Sequence, residues 1–296
     1  MTKTLSMGPI LFHWDAEAKR DFYFRIADET CFDTVYVGEV VCSKRTSFFA
    51  PHLPEVVERL QRGGKQVILS SLALIMSEPE MAQIKELAKN TDLLIEANDI
   101  GTAALLAGCP HVIGPFVNVY NEGTLEYLAS QGAIRISLPW ELPSKSLAAL
   151  AKSTTTELEA QVFGRVPLAI SARCYHARTY GLHKSNCQFV CADHKNGMNV
   201  ETLDGENFLA INGCQTLSHT VNNLIGELDG LQSMGLNAFR VWPHAVDMGV
   251  IGQTFRDVLD GVKSAPEARK ELGEQISFAP FSNGFYHNEE GAVYVS

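Results

Sequence analysis

The stretch that decides the fold covers residues 34–72 and reads TVYVGEVVCSKRTSFFAPHLPEVVERLQRGGKQVILSSL. Its two ends, residues 34–40 and 66–72, are short β-rich runs. Residues 54–62 between them carry apolar side chains at three- and four-residue spacing. That spacing indicates an amphipathic helix, and the flanking runs indicate buried strands. The stretch therefore predicts one strand–helix–strand unit.

The same alternation continues in both directions along the chain. Helical spacing recurs in residues 78–90 and 123–131. Eight alternating units over about 250 residues match a TIM-type (β/α)8-like barrel of the α/β class, in which parallel strands are buried. A doubly wound open sheet would show the same alternation, and only the strand count favours the barrel. The eight strand-like runs are residues 6–12, 34–40, 66–72, 93–96, 111–116, 134–138, 166–171 and 238–242.

A long segment interrupts the alternation after the seventh predicted strand. About 45 residues rich in Cys, His, Asn and Gly precede a helix expected to start near Val221. Within this segment, residues 199–204 and 207–211 resemble two strands joined at Asp204-Gly205, a dipeptide typical of hairpin turns. Loops of this length inside compact domains are usually functional or disordered. We therefore expect a functional, cysteine-rich insertion.

Length and composition predict a single domain over residues 1–296. A chain of this size buries roughly three quarters of its unfolded surface as one fold, and its 46% hydrophobic and 20% charged residues are ordinary for globular proteins. The helical period weakens after Ala265. Residues 266–296 are therefore predicted to form a C-terminal packing arm or an interface segment.

Charge and hydropathy argue against several classes of partner. The formal net charge is -10, with no cluster of Lys and Arg, so nucleic acid and anionic lipid surfaces are not expected partners. The longest mostly apolar stretch, residues 67–76, is about half the roughly 20 residues of a membrane span. Residues 1–14 show neither the long apolar core nor the small-residue cleavage site of a secretory signal, so we do not expect export. We expect a cytoplasmic protein, in which clustered cysteines indicate metal or redox chemistry rather than disulfides.

Three of the seven cysteines, Cys174, Cys187 and Cys191, fall within eighteen residues. Cys42 follows the second strand, which places it on the same carboxyl-terminal rim of a barrel as Cys174. Four thiolates suit a 4Fe-4S cluster, because each iron keeps one thiolate ligand. Structural zinc also accepts four thiolates, although usually as two close pairs. Several of these cysteines could equally be buried, inert thiols.

Two of the remaining cysteines, Cys31 and Cys109, have apolar neighbours and are predicted to be core residues. Cys214 follows the predicted hairpin and is a reserve ligand. Arg173 and Arg178 flank Cys174 and could offset cluster charge, bind a carboxylate or form surface ion pairs. Three loop histidines could relay protons or serve as hydrogen-bonding loop residues: His176, His183 and His194.

Polar and aromatic residues follow several predicted strands, where barrel enzymes carry reacting groups. Glu39, Glu96 and Glu141 could handle protons or bind a polar substrate. More often such residues pair with a neighbouring cation such as Lys44, Arg45 or Arg173, or cap a helix. Trp140 and Trp242 are predicted to close the barrel core. No catalytic residue is assigned.

Several stretches resemble the peptidase U32 family. Residues 37–45 read VGEVVCSKR and residues 171–178 read SARCYHAR, followed by Cys187 and Cys191. The similarity runs through nearly the whole chain. Further shared features are Glu96-Ala97-Asn98-Asp99, Asn118 with Asn121, Pro139 to Glu141, and Asn212-Gly213.

The resemblance is to family members of ubiquinone biosynthesis. It implies a 4Fe-4S cluster on Cys42, Cys174, Cys187 and Cys191, and oxygen-independent hydroxylation of an aromatic ring with prephenate as the oxygen donor. It also implies a heterodimer with a sister subunit, UbiU, and a lipid carrier, UbiT, that presents the polyprenylated aromatic substrate. The peptidase signature itself is altered in residues 172–176, and neither a Gly-x-Ser-x-Gly nor a His-Glu-x-x-His motif occurs. Proteolysis is therefore not expected.

Two functions remain open from the sequence. The first is a cluster-dependent subunit of a ring hydroxylase. The second is a non-catalytic iron–sulfur scaffold that stabilises a catalytic partner, because a cluster with four cysteine ligands leaves no open iron.

Overall fold

The structure is a computed structural model that describes residues 3–90 and 92–296. Its strands are β1 (Thr4–Met7), β2 (Thr34–Gly38), β3 (Gln66–Ser70), β4 (Leu94–Ala97), β5 (His111–Ile113), β6 (Ala133–Ser137), β7 (Glu157–Ile170), β8 (Met198–Glu201), β9 (Asn207–Asn212), β10 (Gln215–Asn223), β11 (Ala238–Val241) and β12 (Phe281–Ser282).

The α-helices of the described residues lie mainly between the strands. They are α1 (Ala16–Glu29), α2 (Thr46–Phe49), α3 (Leu53–Arg62), α4 (Glu78–Leu87), α5 (Ile100–Leu105), α6 (Glu122–Ser130), α7 (Ser144–Ser153), α8 (Tyr175–Thr179), α9 (Leu228–Ser233), α10 (Met248–Leu259) and α11 (Ala265–Gln275). Several begin at a polar residue whose side chain accepts backbone N–H groups of the first turn, which fixes the start of the helix. These capping residues are Asp15, Ser77, Asp99, Asn121 and Asp247.

Eight parallel strands, β1 to β7 and β11, close into a barrel. The closure is visible at Phe239 of β11, which is in register with Leu5 of β1 on one side and Ala160 of β7 on the other. The predicted TIM-type barrel is therefore confirmed. None of the helices in the described ranges is both long and apolar enough to cross a lipid bilayer.

The seventh strand differs from its prediction. Residues 157–163 of β7 lie in the barrel, whereas the predicted residues 166–171 extend beyond it, where Arg165 to Ile170 pair with antiparallel β10. The barrel segment was missed because Glu157, Glu159 and Gln161 alternate with apolar residues, so the stretch lacks the continuous apolar pattern of a buried parallel strand.

One further prediction was wrong. Val221 lies in β10, and the next helix, α9, begins only at Leu228. Beyond Ala265, where the helical period of the sequence weakens, α11 starts at a capping box between Ser264 and Glu267. The helical period of apolar residues is weak in this segment because only Ala268 and Leu272 of α11 are buried.

The predicted hairpin in the insertion is confirmed. Strands β8 and β9 pair antiparallel, with Met198 opposite Ile211, and β9 continues the sheet to β10. We call residues 171–214 the cysteine insertion. It rises from the carboxyl end of the barrel on the extension of β7.

A buried ion cluster fills the barrel interior. The guanidinium of Arg240 lies 2.6 Å from a carboxylate oxygen of Glu96 and 2.5 Å from one of Glu159, and all three side chains are fully buried. It also lies 3.6 Å from the ring centroid of Tyr36 and donates to the Ser137 hydroxyl. Paired charges with added hydrogen bonds can occupy such a site, where a single charge could not.

Aromatic side chains lie next to this cluster along the strands. The ring centroids of Trp140 and Trp242 are 5.2 Å apart, and Phe116 packs edge-on against both. Trp242 fits because Gly8 and Gly164 carry no side chain: a Cβ there would lie 2.9 and 2.7 Å from Trp242. Gly164 also has φ +128°, which few other residues adopt. The predicted core role of the two tryptophans is confirmed.

Replacing Arg240 with Met should lower the free energy of unfolding by about 3–5 kcal/mol, because Glu96 and Glu159 would be left buried without a counter-ion. Urea denaturation followed by circular dichroism measures the change. Arg25, whose side chain is 58% exposed, is the control, and Arg25→Met should change the free energy by less than about 0.5 kcal/mol. Equal effects of the two substitutions would contradict the assigned role of Arg240.

Candidate metal centre

Four cysteines line one small cavity between the barrel rim and the cysteine insertion: Cys42, Cys174, Cys187 and Cys191. Cys42 is partly buried and the other three are buried. The structure thus brings together the four residues that the sequence singled out. Lys44, Arg45, Lys184 and His176 also line the cavity, and no carboxylate does among the described residues.

Glu39 holds the segment that carries Cys42. One carboxylate oxygen of Glu39 accepts the N–H groups of Val41 and Cys42, each at 3.0 Å. A 3₁₀ turn, Ser43–Arg45, follows directly. The side chain of Glu39 thereby fixes the exit from β2 and with it the position of the first thiol.

The other three thiols belong to short turns of the insertion. Cys174 precedes α8, and its sulfur accepts the N–H of Ala177 at 3.4 Å. Cys187 follows the 3₁₀ turn Lys184–Asn186 and Cys191 lies in the turn Val190–Asp193. Between these turns Phe189 has φ +54°, which reverses the chain toward the cavity wall.

A fifth thiol, Cys214, lies between two of the four. It is buried, in the turn between β9 and β10, and it packs against Cys42 and Cys174, so that its single S–H can donate to either sulfur. These hydrogen bonds lower the pKa of Cys42 and of Cys174 to about 6, against the opposing effect of burial, and Arg45 contributes to both shifts. The same hydrogen bonds raise the pKa of Cys214. The thiol of Cys214 therefore favours the thiolate form of these two neighbours.

Arg45 is the buried cation of the site. Its guanidinium donates to the backbone oxygen of Leu11 at 2.8 Å and to the side-chain oxygen of Asn212 at 3.0 Å, while its Nε has no partner in the part of the chain that the structure describes. Gly213 leaves room for it, because a Cβ there would lie 2.6 Å from the guanidinium. Arg45 also interacts with Cys191, whose pKa is raised by burial in spite of this charge.

Two further polar groups border the cavity. The ammonium of Lys44 lies 3.8 Å from the sulfur of Cys187 and donates to the backbone oxygen of Lys184 at 2.7 Å. His176 is fully buried, and its Nε2 has no hydrogen-bond partner within residues 3–90 and 92–296. Burial, together with His194 and Arg45, lowers the pKa of His176 to about 4, so its ring is neutral at pH 7.

The other sequence candidates have mostly structural roles. Glu39 binds backbone N–H groups, Glu96 pairs with Arg240 rather than with Lys44, Arg45 or Arg173, and Glu141 accepts from the hydroxyl of Tyr120. Arg173 and Arg178 line a separate cavity that Cys174 borders, together with His183 and Lys184. His194 receives or donates a hydrogen bond with Tyr180 at 2.8 Å.

Cys31 and Cys109 lie outside the cysteine cavity. Cys31 is partly buried and packs against the main hydrophobic core. Cys109 is exposed, so its predicted core position was wrong. The Pro110 that follows it lies in a loop rather than in the core.

Of the described residues, no three His, Cys, Asp or Glu side chains are close enough together to hold a single metal ion.

Arg45 has a role at the site that was not predicted from the sequence, whereas Cys214, expected there as a reserve ligand, does lie beside it. Arg45 was considered only as a partner for a carboxylate. A basic pair directly after Cys42, in Cys42-Ser43-Lys44-Arg45, was the available signal, because anionic sulfur sites are commonly offset by nearby cations. The position of Cys214 after the predicted hairpin indicated that it lies near the site, but its contact with two other thiols depends on the pairing of β9 with β10.

The fold and the site together define a class: a closed parallel α/β barrel with a cysteine-lined, cation-rich cavity at its rim. Residues 18–295 match the model of Peptidase family U32, and the chain belongs to that family.

Solved structures that are similar to the chain include that of the U32 peptidase Mk0906, at 13% identity over 83% of this chain and 94% of that one, with a TM-score of 0.47. Another is dihydropteroate synthase (FolP) from Thermus thermophilus, at 13% identity over 88% and 95%, with a TM-score of 0.42. A tryptophan synthase complex from Pyrococcus furiosus matches at 9% identity over 92% and 96%, with a TM-score of 0.43.

The lowered pKa of Cys42 predicts fast alkylation in the reduced, metal-free protein. Cys42 should react with iodoacetamide at a rate that levels off above about pH 6, because the thiolate is the nucleophile. Cys31 is the matched control, since it is also partly buried but burial raises its pKa. Its rate should still rise above pH 9, the ordinary value for a thiol. Peptide mass spectrometry measures both rates, and faster labelling of Cys31 at pH 7 would contradict the assignment.

Proposed function

We propose that this chain is the 4Fe-4S subunit of an oxygen-independent hydroxylase that acts on aromatic ring intermediates of ubiquinone biosynthesis. Within the U32 family its motifs resemble those of UbiV. The observation that carries the proposal is the set of four cysteine thiols on one cavity, whose described lining includes cations and no carboxylate. Membership of the family supports the resemblance on which the substrate class rests.

The donor set fits an iron–sulfur cluster. Cys42, Cys174, Cys187 and Cys191 would hold it, and soft thiolates on separate turns suit a core in which each iron has its own protein ligand. A structural zinc would need the four sulfurs around one point. The pKa values of Cys42 and Cys174 are lowered, which favours the thiolate form that ligation requires. When bound, such a cluster supplies one-electron transfer.

The other residues that line the cavity would favour the binding of a negatively charged group. Arg45 places a buried positive charge against Cys191, and Lys44 places a second charge near Cys187. Phe189 covers one wall and contacts Phe48 with a ring separation of 4.7 Å, which limits the access of water. These side chains would stabilise an anionic sulfur site in a protein of overall negative charge.

The partners follow from the same resemblance. We propose a heterodimer with a UbiU-like sister subunit and delivery of the polyprenylated substrate by a UbiT-like lipid carrier, in the cytoplasm, with prephenate as the oxygen donor. Co-purification with each tagged partner tests this part. Failure of the UbiU-like subunit to form a stable complex with this chain would contradict it.

A scaffold role is the second candidate. It is favoured by the four thiols themselves, because one cysteine on every iron leaves no position for a substrate atom. The two candidates differ in redox behaviour. If product forms without any change in the cluster spectrum during single turnover, the scaffold role is correct, and coupled oxidation of the cluster excludes it.

Anaerobically prepared wild-type protein should contain about four iron and four sulfide per chain. Cys174→Ala should lose the cluster and its broad visible absorbance, because one iron loses its protein ligand. Cys31→Ala, which changes a thiol outside the cavity, should retain both. Metal and sulfide analysis gives the result, and zinc, or no metal, in the oxygen-free wild-type protein would refute the proposal.

Arg45→Gln should lower the midpoint potential of the cluster by about 60 mV, equivalent to a tenfold change in the reduction equilibrium. Reduction adds a negative charge, and the buried guanidinium favours the charged state. Spectroelectrochemical titration measures the potential. Arg25→Gln, on the exposed face of α1, should leave the potential unchanged, and an equal shift in both variants would show that the buried charge is not responsible.

A further inference from the structure

A second cavity opens at the carboxyl end of the barrel. We call it the mouth cavity. Its volume is about 200 Å³, and it lies between the loops after β3 and β5 and the extension of β7. Reacting groups of TIM-type barrels gather at this end. The residues that line it are Ala73, Leu74, Phe116, Asn118, Pro167, Leu168, Ala169 and Ile170.

An aromatic stack lies behind one wall of the mouth cavity. Phe116 lines the cavity and packs against Trp140 and Trp242, with ring centroids 5.9 and 6.2 Å away. Trp140 is 8% exposed, and its indole N–H has no acceptor among the residues that the structure describes. A buried aromatic wall favours an aromatic ligand, because ring pairs add edge-to-face or offset stacking to the burial of apolar surface.

The walls of the mouth cavity are connected directly to the cysteine segments. The N–H of Ala73 donates to the backbone oxygen of Val40 at 2.9 Å, two residues before Cys42. On the opposite wall, Ser171 directly follows Ile170, and its N–H donates to the backbone oxygen of Cys214 at 3.0 Å. Cys42 also packs against the same apolar cluster as Ala73 and Phe116. A ligand in the mouth cavity would therefore lie against walls that are hydrogen-bonded to the segments of Cys42 and Cys214.

The chemistry of the lining points to a ring with both polar and apolar substituents. Asn118 is exposed and offers an amide to a hydroxyl group. Leu168 is 41% exposed at the rim and would cover an alkyl chain that leaves the cavity. The volume exceeds the roughly 150 Å³ that suffices to bind benzene in a protein interior.

We propose that the mouth cavity binds the ring of a phenol that carries an alkyl chain, with the ring against Phe116 and the chain passing over Leu168. This rests on the proposed function and assigns its substrate site to this chain rather than to the partner subunit alone. The cavity beside Cys174 is less suited to this ligand, because Arg173, Arg178 and Lys184 line it.

The test uses the full chain, prepared anaerobically, and a phenol with one five-carbon prenyl chain at the ortho position as the probe. Binding is measured by isothermal titration calorimetry and by quenching of tryptophan fluorescence. Ala73→Phe fills the cavity and Leu168→Asp makes its rim polar, and each should weaken binding at least tenfold. The matched control is Leu105→Asp, since Leu105 is 43% exposed on α5 and does not line the cavity; its affinity should equal that of the wild type.

Circular dichroism and iron content of every variant separate loss of the site from loss of the fold. Failure of the wild-type protein to bind the probe, or equal affinity of all three folded variants, would overturn the mouth cavity as the site. If the protein lacks iron but the variants still follow the expected order, the mouth cavity is the phenol site and the iron–sulfur function is wrong. If the protein contains the cluster but does not bind the probe, the iron–sulfur function stands and the mouth cavity is not the phenol site.

Discussion

The ion pairs of Arg240 with Glu96 and Glu159 are the constraint on which the barrel depends. They join β11, β4 and β7 across the interior, so one guanidinium links strands on different sides of the closed sheet. Because an unpaired charge at that depth is costly, the three side chains fix one another and leave little freedom to the strands that bear them. The aromatic stack of Trp140, Trp242 and Phe116 lies next to this cluster and closes the barrel beneath the rim.

The candidate site is built on this base from loops and short helical turns. Its thiols lie on turns, and polar contacts hold three of them: Glu39 for the segment of Cys42, the N–H of Ala177 for Cys174, and Arg45 for Cys191. Pre-organised sulfur donors and an adjacent buried cation are what a resident anionic metal group requires. The described lining of the cavity contains no carboxylate, so ionised cysteine sulfurs would be its negatively charged groups.

Much of this could be predicted from the sequence, for physical reasons. The alternation of strands and helices indicated the barrel. Because the carboxyl ends of parallel strands share one rim, the sequence also predicted that Cys42 and Cys174 lie close together. Other features depend on tertiary contacts. The inward-facing Glu159 and Gln161 look like a surface pattern because their partners are distant in sequence. The strand at Val221 was assigned to a helix because its pairing with β7 and β12 has no local signal.

The double membership of β7 has a structural consequence. The first half of β7 is one of the eight barrel strands, and its second half is the first strand of the sheet that supports the insertion. One continuous strand thus joins the sheet of the insertion to the barrel wall. The insertion is therefore an outgrowth of the barrel wall, and Cys174, four residues beyond the end of β7, is the thiol most directly tied to it.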